Sequence, residues 1–365
     1  MKQTLFIVFH DMRLGGVQKK IIDIIKYHQQ YLPDTNIIVC LRVHKGIFLK
    51  NIPLSIKVIS PNFYTHRYNM TWFTLWLLYQ IMTLRPTQII SFMDLGSIPT
   101  LICLRLLFWI KPQVTIGEDI LTSKYIYTES FPPIRKLLIK YLYPLADTIL
   151  VQTPVQKKDL ENMIYKSESN PKIISTPNWL PLDFPPKKIT PYSQRMIDIL
   201  YVGRIDDQKN LPLFLEIVSN IKKTVFNITV NIVGDGDKKK NIKSLIRKLG
   251  LQKNISIIKP TLDTVAYYNQ AKIFLLTSNY EGFPLTLMEA LSSGCFPVVR
   301  DIPEISQFFI KNKSQIVFNT TKKATKLILN LLRHTPPDYF ISYRRKIFNN
   351  QLRDISKYIK YFSRP

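Results

Sequence analysis

Two glutamates, Glu281 and Glu289, flank a tight turn in the run Ser278-Asn279-Tyr280-Glu281-Gly282-Phe283-Pro284-Leu285-Thr286-Leu287-Met288-Glu289-Ala290. An apolar strand pattern, Ile273–Thr277, leads into this run and a helical pattern follows it. Gly282 and Pro284 shape the turn, so the backbone N–H groups of Leu285, Thr286 and Leu287 point out of the helix start. Free donors and the helix dipole act together there, which makes a place for an anion. Glu289, about one turn into the helix, is positioned to accept hydrogen bonds from a ribose diol, and Glu281 on the loop to meet sugar hydroxyls. The plainer alternative is a solvated glutamate pair beside an ordinary strand-to-helix connection.

Cations and glycines recur at comparable points. Tyr201-Val202-Gly203-Arg204-Ile205-Asp206-Asp207-Gln208-Lys209-Asn210 ends one strand and precedes a helix. Arg204 and Lys209 would then sit at the carboxyl edge of a sheet, where two cations suit a diphosphate leaving group. Val233-Gly234-Asp235-Gly236-Asp237 ends the next strand, and its glycines let a nucleotide approach the backbone, although a lone Gly-x-Gly is unspecific. Gly15-Gly16 follows the first strand and opens a helix from Val17, a second loop of the phosphate-binding type. It lacks the spacing and the following acidic residue of a dinucleotide fingerprint, which disfavours a dehydrogenase. After the fifth strand, Thr115-Ile116-Gly117-Glu118-Asp119 supplies Glu118 or Asp119 as an acceptor contact or base, or simply as a structural loop carboxylate. His10, ending the first strand, reads as a packing or loop residue.

The elements that must hold these residues follow from periodicity. Short β-branched runs alternate with helical stretches, the pattern of an α/β fold with parallel sheets. Strands are expected at Leu5–Phe9, Asn36–Leu41, Ile56–Ile59, Gln88–Phe92, Gln113–Ile116, Thr148–Gln152 and Lys172–Ser175. After a stretch with four prolines, Pro181 to Pro191, the alternation resumes at Asp198–Val202, Asn227–Val233, Ile255–Ile258, Ile273–Thr277 and Phe296–Val299. Prolines that dense exclude a helix or central strand and mark an inter-domain linker. Two α/β domains with a cleft between them are therefore expected: residues 1–180, a linker at 181–195, and residues 196–335. A basic helical segment, 336–365, follows. Ligands of such sheets bind at the carboxyl ends of the strands.

Bulk properties narrow the class. The chain of 365 residues is 46% hydrophobic, which excludes wholesale disorder. Cys40, Cys103 and Cys295 match no metal-ligand spacing and read as reduced core residues of a cytosolic protein. The apolar run at Leu5–Phe9 is too short for a signal-peptide core. No uninterrupted apolar stretch is long enough to span a bilayer. Two come part of the way, Thr71–Tyr79 and Ile98–Ile110, and read either as core helices or as helices exposing aromatics to a membrane surface. The net charge of +26 is spread over both halves and attracts polyanions: anionic lipid, nucleic acid or phosphorylated substrates.

Taken in order, these pieces resemble the large retaining glycosyltransferase family with the GT-B fold (family 4), which includes many bacterial surface-polysaccharide enzymes. The resemblance is densest from Tyr201 to Glu304, through Gly203-Arg204, Lys209-Asn210, Gly234-Asp235-Gly236, Glu281 to Glu289, and Gly294 with Pro297-Val298-Val299 and Pro303-Glu304. It implies two Rossmann-like parallel-sheet domains facing a cleft, with a C-terminal helix crossing back to the first. It also implies a donor pyrophosphate neutralised by Arg204 and Lys209, a ribose held by Glu289 and a donor sugar met by Glu281. The Gly15-Gly16 loop would close over the phosphates. Many relatives carry a histidine after the fifth strand; here Glu118-Asp119 stands in that place.

The expected function is transfer of a sugar, with retention, from a nucleotide-sugar (a UDP-sugar on family frequency) to a lipid-linked glycan acceptor. The setting would be O-antigen or capsule synthesis, by a cytoplasmic enzyme peripheral on the inner face of the membrane. No metal or other cofactor is expected, because cationic side chains replace Mg²⁺. Two other readings are a non-catalytic polyanion- or nucleic-acid-binding protein, disfavoured because the basic residues are diffuse, and a nucleotide-sugar 2-epimerase of the same fold.

Overall fold

The protein is described from a computed structural model over residues 3–13, 15–61, 69–128, 131–164, 171–180, 184, 187–306 and 316–334. The basic segment 336–365 and most of the Pro-rich run at 181–186 lie outside these residues. The chain divides into two compact units, the first ending at Asn178 and the second beginning at Trp179.

The first unit is built on a seven-stranded, all-parallel sheet of order β3-β2-β1-β4-β5-β6-β7. Its strands are β1 (Thr4–Phe9), β2 (Asn36–Leu41), β3 (Lys57–Ile59), β4 (Gln88–Phe92), β5 (Gln113–Glu118), β6 (Thr148–Val151) and β7 (Lys172–Ser175). The connecting helices are α1 (Gly16–Tyr31), α2 (Asn69–Leu84), α3 (Met93–Leu106), α4 (Thr122–Tyr125), α5 (Pro132–Leu142) and α6 (Pro154–Glu161). β1, β4 and β5 are buried over nearly their whole length, as expected of parallel strands covered on both faces. Thr153 starts α6 with a capping box, its hydroxyl accepting from Gln156 N while the Gln156 side chain accepts from Thr153 N.

The second unit carries a six-stranded parallel sheet of order β10-β9-β8-β11-β12-β13. Here the strands are β8 (Ile197–Val202), β9 (Val230–Val233), β10 (Ile255–Ile258), β11 (Ala271–Leu276), β12 (Phe296–Arg300) and β13 (Val317–Phe318). The helices are α7 (Leu211–Lys222), α8 (Lys239–Lys248), α9 (Val265–Gln270), α10 (Leu285–Ser292), α11 (Pro303–Ser306) and α12 (Thr321–Arg333). Phe214, Leu215 and Val218 of α7 and Ile328 of α12 pack into one core with the strands. Leu180 and Phe184 join that core, so part of the Pro-rich stretch is anchored on the second unit. Buried Arg195 anchors it further, donating to the carbonyls of Thr190, Ala271 and Ser293 at 3.0, 2.6 and 2.8 Å.

The parallel-sheet α/β architecture agrees with expectation, and the differences are local. β9 begins at Val230 rather than Asn227, because side chains hold the preceding residues: Asn254 Nδ2 donates to the carbonyls of Phe226 and Ile228, and Asp198 Oδ2 accepts from Thr229 N. The two-residue edge strand β13 carries too few residues to show a period. In each sheet the strand order reverses once, between β1 and β4 and between β8 and β11. Loops leaving adjacent strands diverge there and open a crevice at the carboxyl edge.

Candidate active site

The switch point of the second sheet gathers most of the residues singled out by sequence. The loop after β8 carries Gly203, Arg204 and Lys209, and the loop after β11 carries Glu281, Gly282, Phe283 and Pro284. Since β8 and β11 are hydrogen-bonded neighbours, the two loops lie side by side. Lys209 Nζ sits 2.6 Å from Glu281 Oε1, and Ser278 Oγ donates to the same oxygen at 2.5 Å. Both charged side chains are largely buried, with 14% and 5% of their surface exposed. An ion pair so placed is screened little by solvent and holds its geometry. Lys209 has three N–H donors, and the pair with Glu281 engages one, leaving the ammonium able to meet phosphate oxygens.

Arg204 is arranged differently. Its guanidinium is half exposed, 3.2 Å from Asp206 Oδ2, and donates to Gln208 Oε1 at 2.9 Å. Gln208 in turn donates to Tyr280 O at 3.1 Å, and Asn279 N donates to Gln208 O at 2.8 Å. Thr277 Oγ1 donates to the carbonyls of Lys209 and Asn210, both at 3.1 Å. These bonds fix one loop against the other. Sequence reading quoted Gln208, Ser278 and Asn279 within their motifs but gave them no task; polar residues next to two charged candidates were the available signal.

The glycines serve close packing of the two neighbouring loops. A Cβ on Gly234 would lie 1.9 Å from Gly203 O, and one on Gly236 would lie 2.3 Å from Ile205 O. Backbone bonds Gly203 N to Val233 O, 3.1 Å, and Ile205 N to Asp235 O, 2.9 Å, close the same seam. A depression lined by Asp235, Gly236, Asp237, Lys239, Lys240 and Lys243 lies beside it.

Helix α10 starts at Leu285, followed by Thr286, with no side chain capping its first turn, so its N–H groups keep the donor character expected from the turn. Glu289, within the helix, has no exposed surface. Its carboxylate faces Tyr268, whose hydroxyl is held well above its ordinary pKa by burial and by the charge of Glu289. A ribose diol would therefore have to reach Glu289 from within the fold's interior surface rather than from open solvent.

The first unit places its candidates at the carboxyl edge of its own sheet. Gly15 precedes α1 and Gly16 opens it, again with no side-chain cap. Glu118 ends β5 and is buried, accepting from Tyr143 Oη at 2.5 Å. Burial, opposed by the Tyr143 bond, pushes its pKa from 4.5 up to about 8. Asp119 turns the other way: it is 2.5 Å from Lys20 Nζ and accepts from Gln152 Nε2. Lys20 is itself buried, which lowers its pKa against the opposing pull of Asp119. His10 lies against Asp11, and burial and the nearby Arg42 lower its pKa to about 4, keeping it neutral at physiological pH. Arg135 of α5 pairs with buried Asp94 of α3. Lys20, Gln152, Tyr143, Arg135 and Asp94 escaped the sequence reading. For Lys20 a signal existed: it shares the stripe of Val17, Ile24 and His28 on α1, where a lysine at a core-facing position needs a partner. No group of three metal-ligating side chains stands close enough to hold an ion among the described residues.

Comparison with known proteins adds a family match over part of the chain and a fold. Residues 187–347 match the family described as glycosyl transferases group 1. A Campylobacter jejuni relative is the N-acetylgalactosamine-N,N'-diacetylbacillosaminyl-diphospho-undecaprenol 4-alpha-N-acetylgalactosaminyltransferase. It is 28% identical over 53% of each chain. The chain spans about half or less of the length of the curated relatives it matches. Among solved structures, WaaG, a glycosyltransferase involved in lipopolysaccharide biosynthesis, superposes with a TM-score of 0.77 at 13% identity, covering 97% of this chain and 98% of its own. Anabaena HepE in complex with UDP and glucose gives 0.76 at 14% identity and 99% of each chain. Residues 187–347 thus match the glycosyl transferases group 1 model, and the chain has a two-unit, parallel-sheet fold of the GT-B kind.

Proposed function

We propose that this protein transfers a sugar, with retention of anomeric configuration, from a UDP-sugar to a lipid-linked glycan acceptor in surface-polysaccharide synthesis. The observation that carries the reading is the Lys209–Glu281 pair beside the uncapped start of α10, inside the group 1 domain. Cleavage of the bond between the sugar's anomeric carbon and the phosphate oxygen leaves negative charge on the departing nucleoside diphosphate. Lys209, Arg204 and the N–H groups of Leu285 and Thr286 would stabilise that charge, a contribution worth several kcal/mol when donors are preorganised. Those cations supply what a divalent ion would supply, so we assign the reaction no metal. Glu281 would orient the donor sugar and Glu289 the ribose. Of the two carboxylates after β5, Asp119 suits an acceptor contact better, because Glu118 is buried, protonated near neutrality and engaged with Tyr143. The lipid-linked acceptor finds support in the C. jejuni relative's name and in the net charge of +26, which favours peripheral work on an anionic cytoplasmic membrane face.

The test supplies a panel of UDP-sugars with an undecaprenyl-diphosphate-linked acceptor in detergent, with and without a chelator. An α-linked product from an α-linked donor, formed equally in chelator, is expected. A β-linked product would overturn retention, dependence on added metal would overturn the cationic account, and silence with every nucleotide-sugar would overturn the transferase reading.

A further inference from the structure

Thirteen of the eighteen large apolar side chains that stay exposed among the described residues fall between Trp72 and Leu145. That concentration has a topological basis. The connections from β3 to β4, β4 to β5 and β5 to β6 all step the same way across the sheet, so right-handed crossovers put α2, α3 and α5 on one side of it. Register agrees: Phe6, Ile89 and Val114 are aligned across β1, β4 and β5 and point to one face. Phe73 and Leu77 of α2 pack with Phe6 and Ile89 there, and Ile139 of α5 and Tyr143 just after it pack with Val114.

The outer side of this layer is apolar where it should be polar. α2 contains no charged residue, and Trp72, Leu75, Tyr79 and Met82, spaced i, i+3, i+7 and i+10, are each 46–59% exposed. On α5, Ile134, Leu137 and Tyr141 repeat the pattern at 53–56% exposure. Leu106, Phe108 and Trp109 follow at the end of α3. A helix apolar all round is expected to be buried, and a soluble surface rarely carries so broad an apolar face without a partner. Charge indicates which partner. Between Thr71 and Leu145, the exposed charged residues among those described are Arg85, Arg105, Lys111, Lys124, Lys136 and Lys140, all basic. Among the described residues, the acidic ones of the same stretch, Asp94, Glu118 and Asp119, are held inside by the contacts given above.

We infer that the outer face of α2, the end of α3 and α5 docks on a bilayer containing anionic phospholipid. Trp and Tyr suit the headgroup boundary, where an apolar ring and a polar edge are both satisfied. Leu75, Leu137 and Ile134 would enter the acyl region, and the lysines and arginines would meet anionic headgroups. Three adjacent helices, packed about 10 Å apart, give a face too broad for one bound peptide strand and suited to a membrane plane. The inference deepens the membrane reading made under Proposed function and does not depend on the donor assignment.

The test uses the full chain and vesicles of phosphatidylcholine with or without phosphatidylglycerol. Wild type is expected to co-sediment with the anionic vesicles and to show quenching of Trp72 and Trp109 by lipids brominated in the acyl chain. Leu75→Glu/Leu137→Glu should weaken binding by roughly 10-fold or more, since each charge opposes insertion. Lys136→Glu/Lys140→Glu should weaken it similarly at low salt only. Both double variants should turn over UDP-sugar with detergent-solubilised acceptor as wild type does, which shows that they fold. Binding by the variants equal to wild type, or no vesicle binding by wild type, would overturn the inference. So would self-association of wild type that the Leu75→Glu/Leu137→Glu variant abolishes, which would make this face a contact between copies. Vesicle binding without turnover would instead leave the docking face standing and remove the transferase reading.

Discussion

Lys209→Met is expected to lower turnover by about 10²–10³-fold, the size of effect seen when one preorganised charge-stabilising group is removed. Methionine keeps most of the aliphatic stem and deletes only the ammonium, so packing changes little. The deletion has a second consequence. Glu281, with 5% of its side chain exposed, would be left with Ser278 as its named partner, and a buried carboxylate that loses its cation is costly. Lys209→Met alone should therefore lose stability as well as activity. The double variant Lys209→Met/Glu281→Gln separates the two: it removes the stranded charge, so the unfolding midpoint should recover while turnover stays low. The loss should fall mainly on kcat, because charge on the leaving phosphate grows in the transition state. Steady-state kinetics and thermal unfolding on the three proteins check this. If the double variant recovers turnover together with stability, Lys209 is structural and the leaving-group account fails.

A second large effect is expected from Glu118→Gln, on stability against pH. The folded pKa of Glu118 is about 8, against an ordinary value of 4.5. Between those values the folded chain holds a proton that the unfolded chain has released, so this group's contribution is fully present below pH 4.5 and is lost as pH rises through 8. Over pH 5 to 8 the change amounts to about 3 kcal/mol. Glutamine keeps the shape, still accepts from Tyr143 and cannot ionise, so the variant should match wild type at pH 5 and exceed it at pH 8. His10 works in the opposite sense. Its pKa is lowered to about 4 from 6.5, so its contribution is lost as pH falls through that window, and the difference between wild type and Glu118→Gln cancels it. Urea midpoints at pH 5, 6.5 and 8 read the effect. Equal slopes in the two proteins would show that Glu118 is ionised in the fold.

The strands and their carboxyl-edge loops were legible because parallel strands covered on both faces read as short apolar runs, as Ile273–Leu276 does. The loops of the second unit were legible for a related reason: glycines and charges immediately after such runs sit where a doubly wound sheet binds ligands. What sequence did not show was pairing at long range. Lys20 and Asp119 are 99 positions apart, and Asp94 and Arg135 are 41 apart. Read alone, Asp94, Asp119 and Arg135 belong on a solvated surface, and the core-facing stripe of Lys20 asks for a partner without saying which. Only the crossover order of the sheet, which short-range periodicity does not encode, brings them together. The burial of Glu289 was hidden similarly, since its helical position marks a face but not the Tyr268 side chain set against it.

The central claim is that the second unit grips a nucleoside diphosphate through Arg204, Lys209, Glu281, Glu289 and the start of α10. Thermal unfolding of the full chain with UDP, GDP, ADP, CMP and dTDP tests it most directly. A nucleotide at about 100 times its dissociation constant adds roughly 2.7 kcal/mol to the folded state. UDP should raise the midpoint of wild type, and Arg204→Ala and Glu289→Gln should lose most of that rise relative to their own baselines. If no nucleotide raises the midpoint, or if both variants respond to UDP as fully as wild type, this site does not hold the donor.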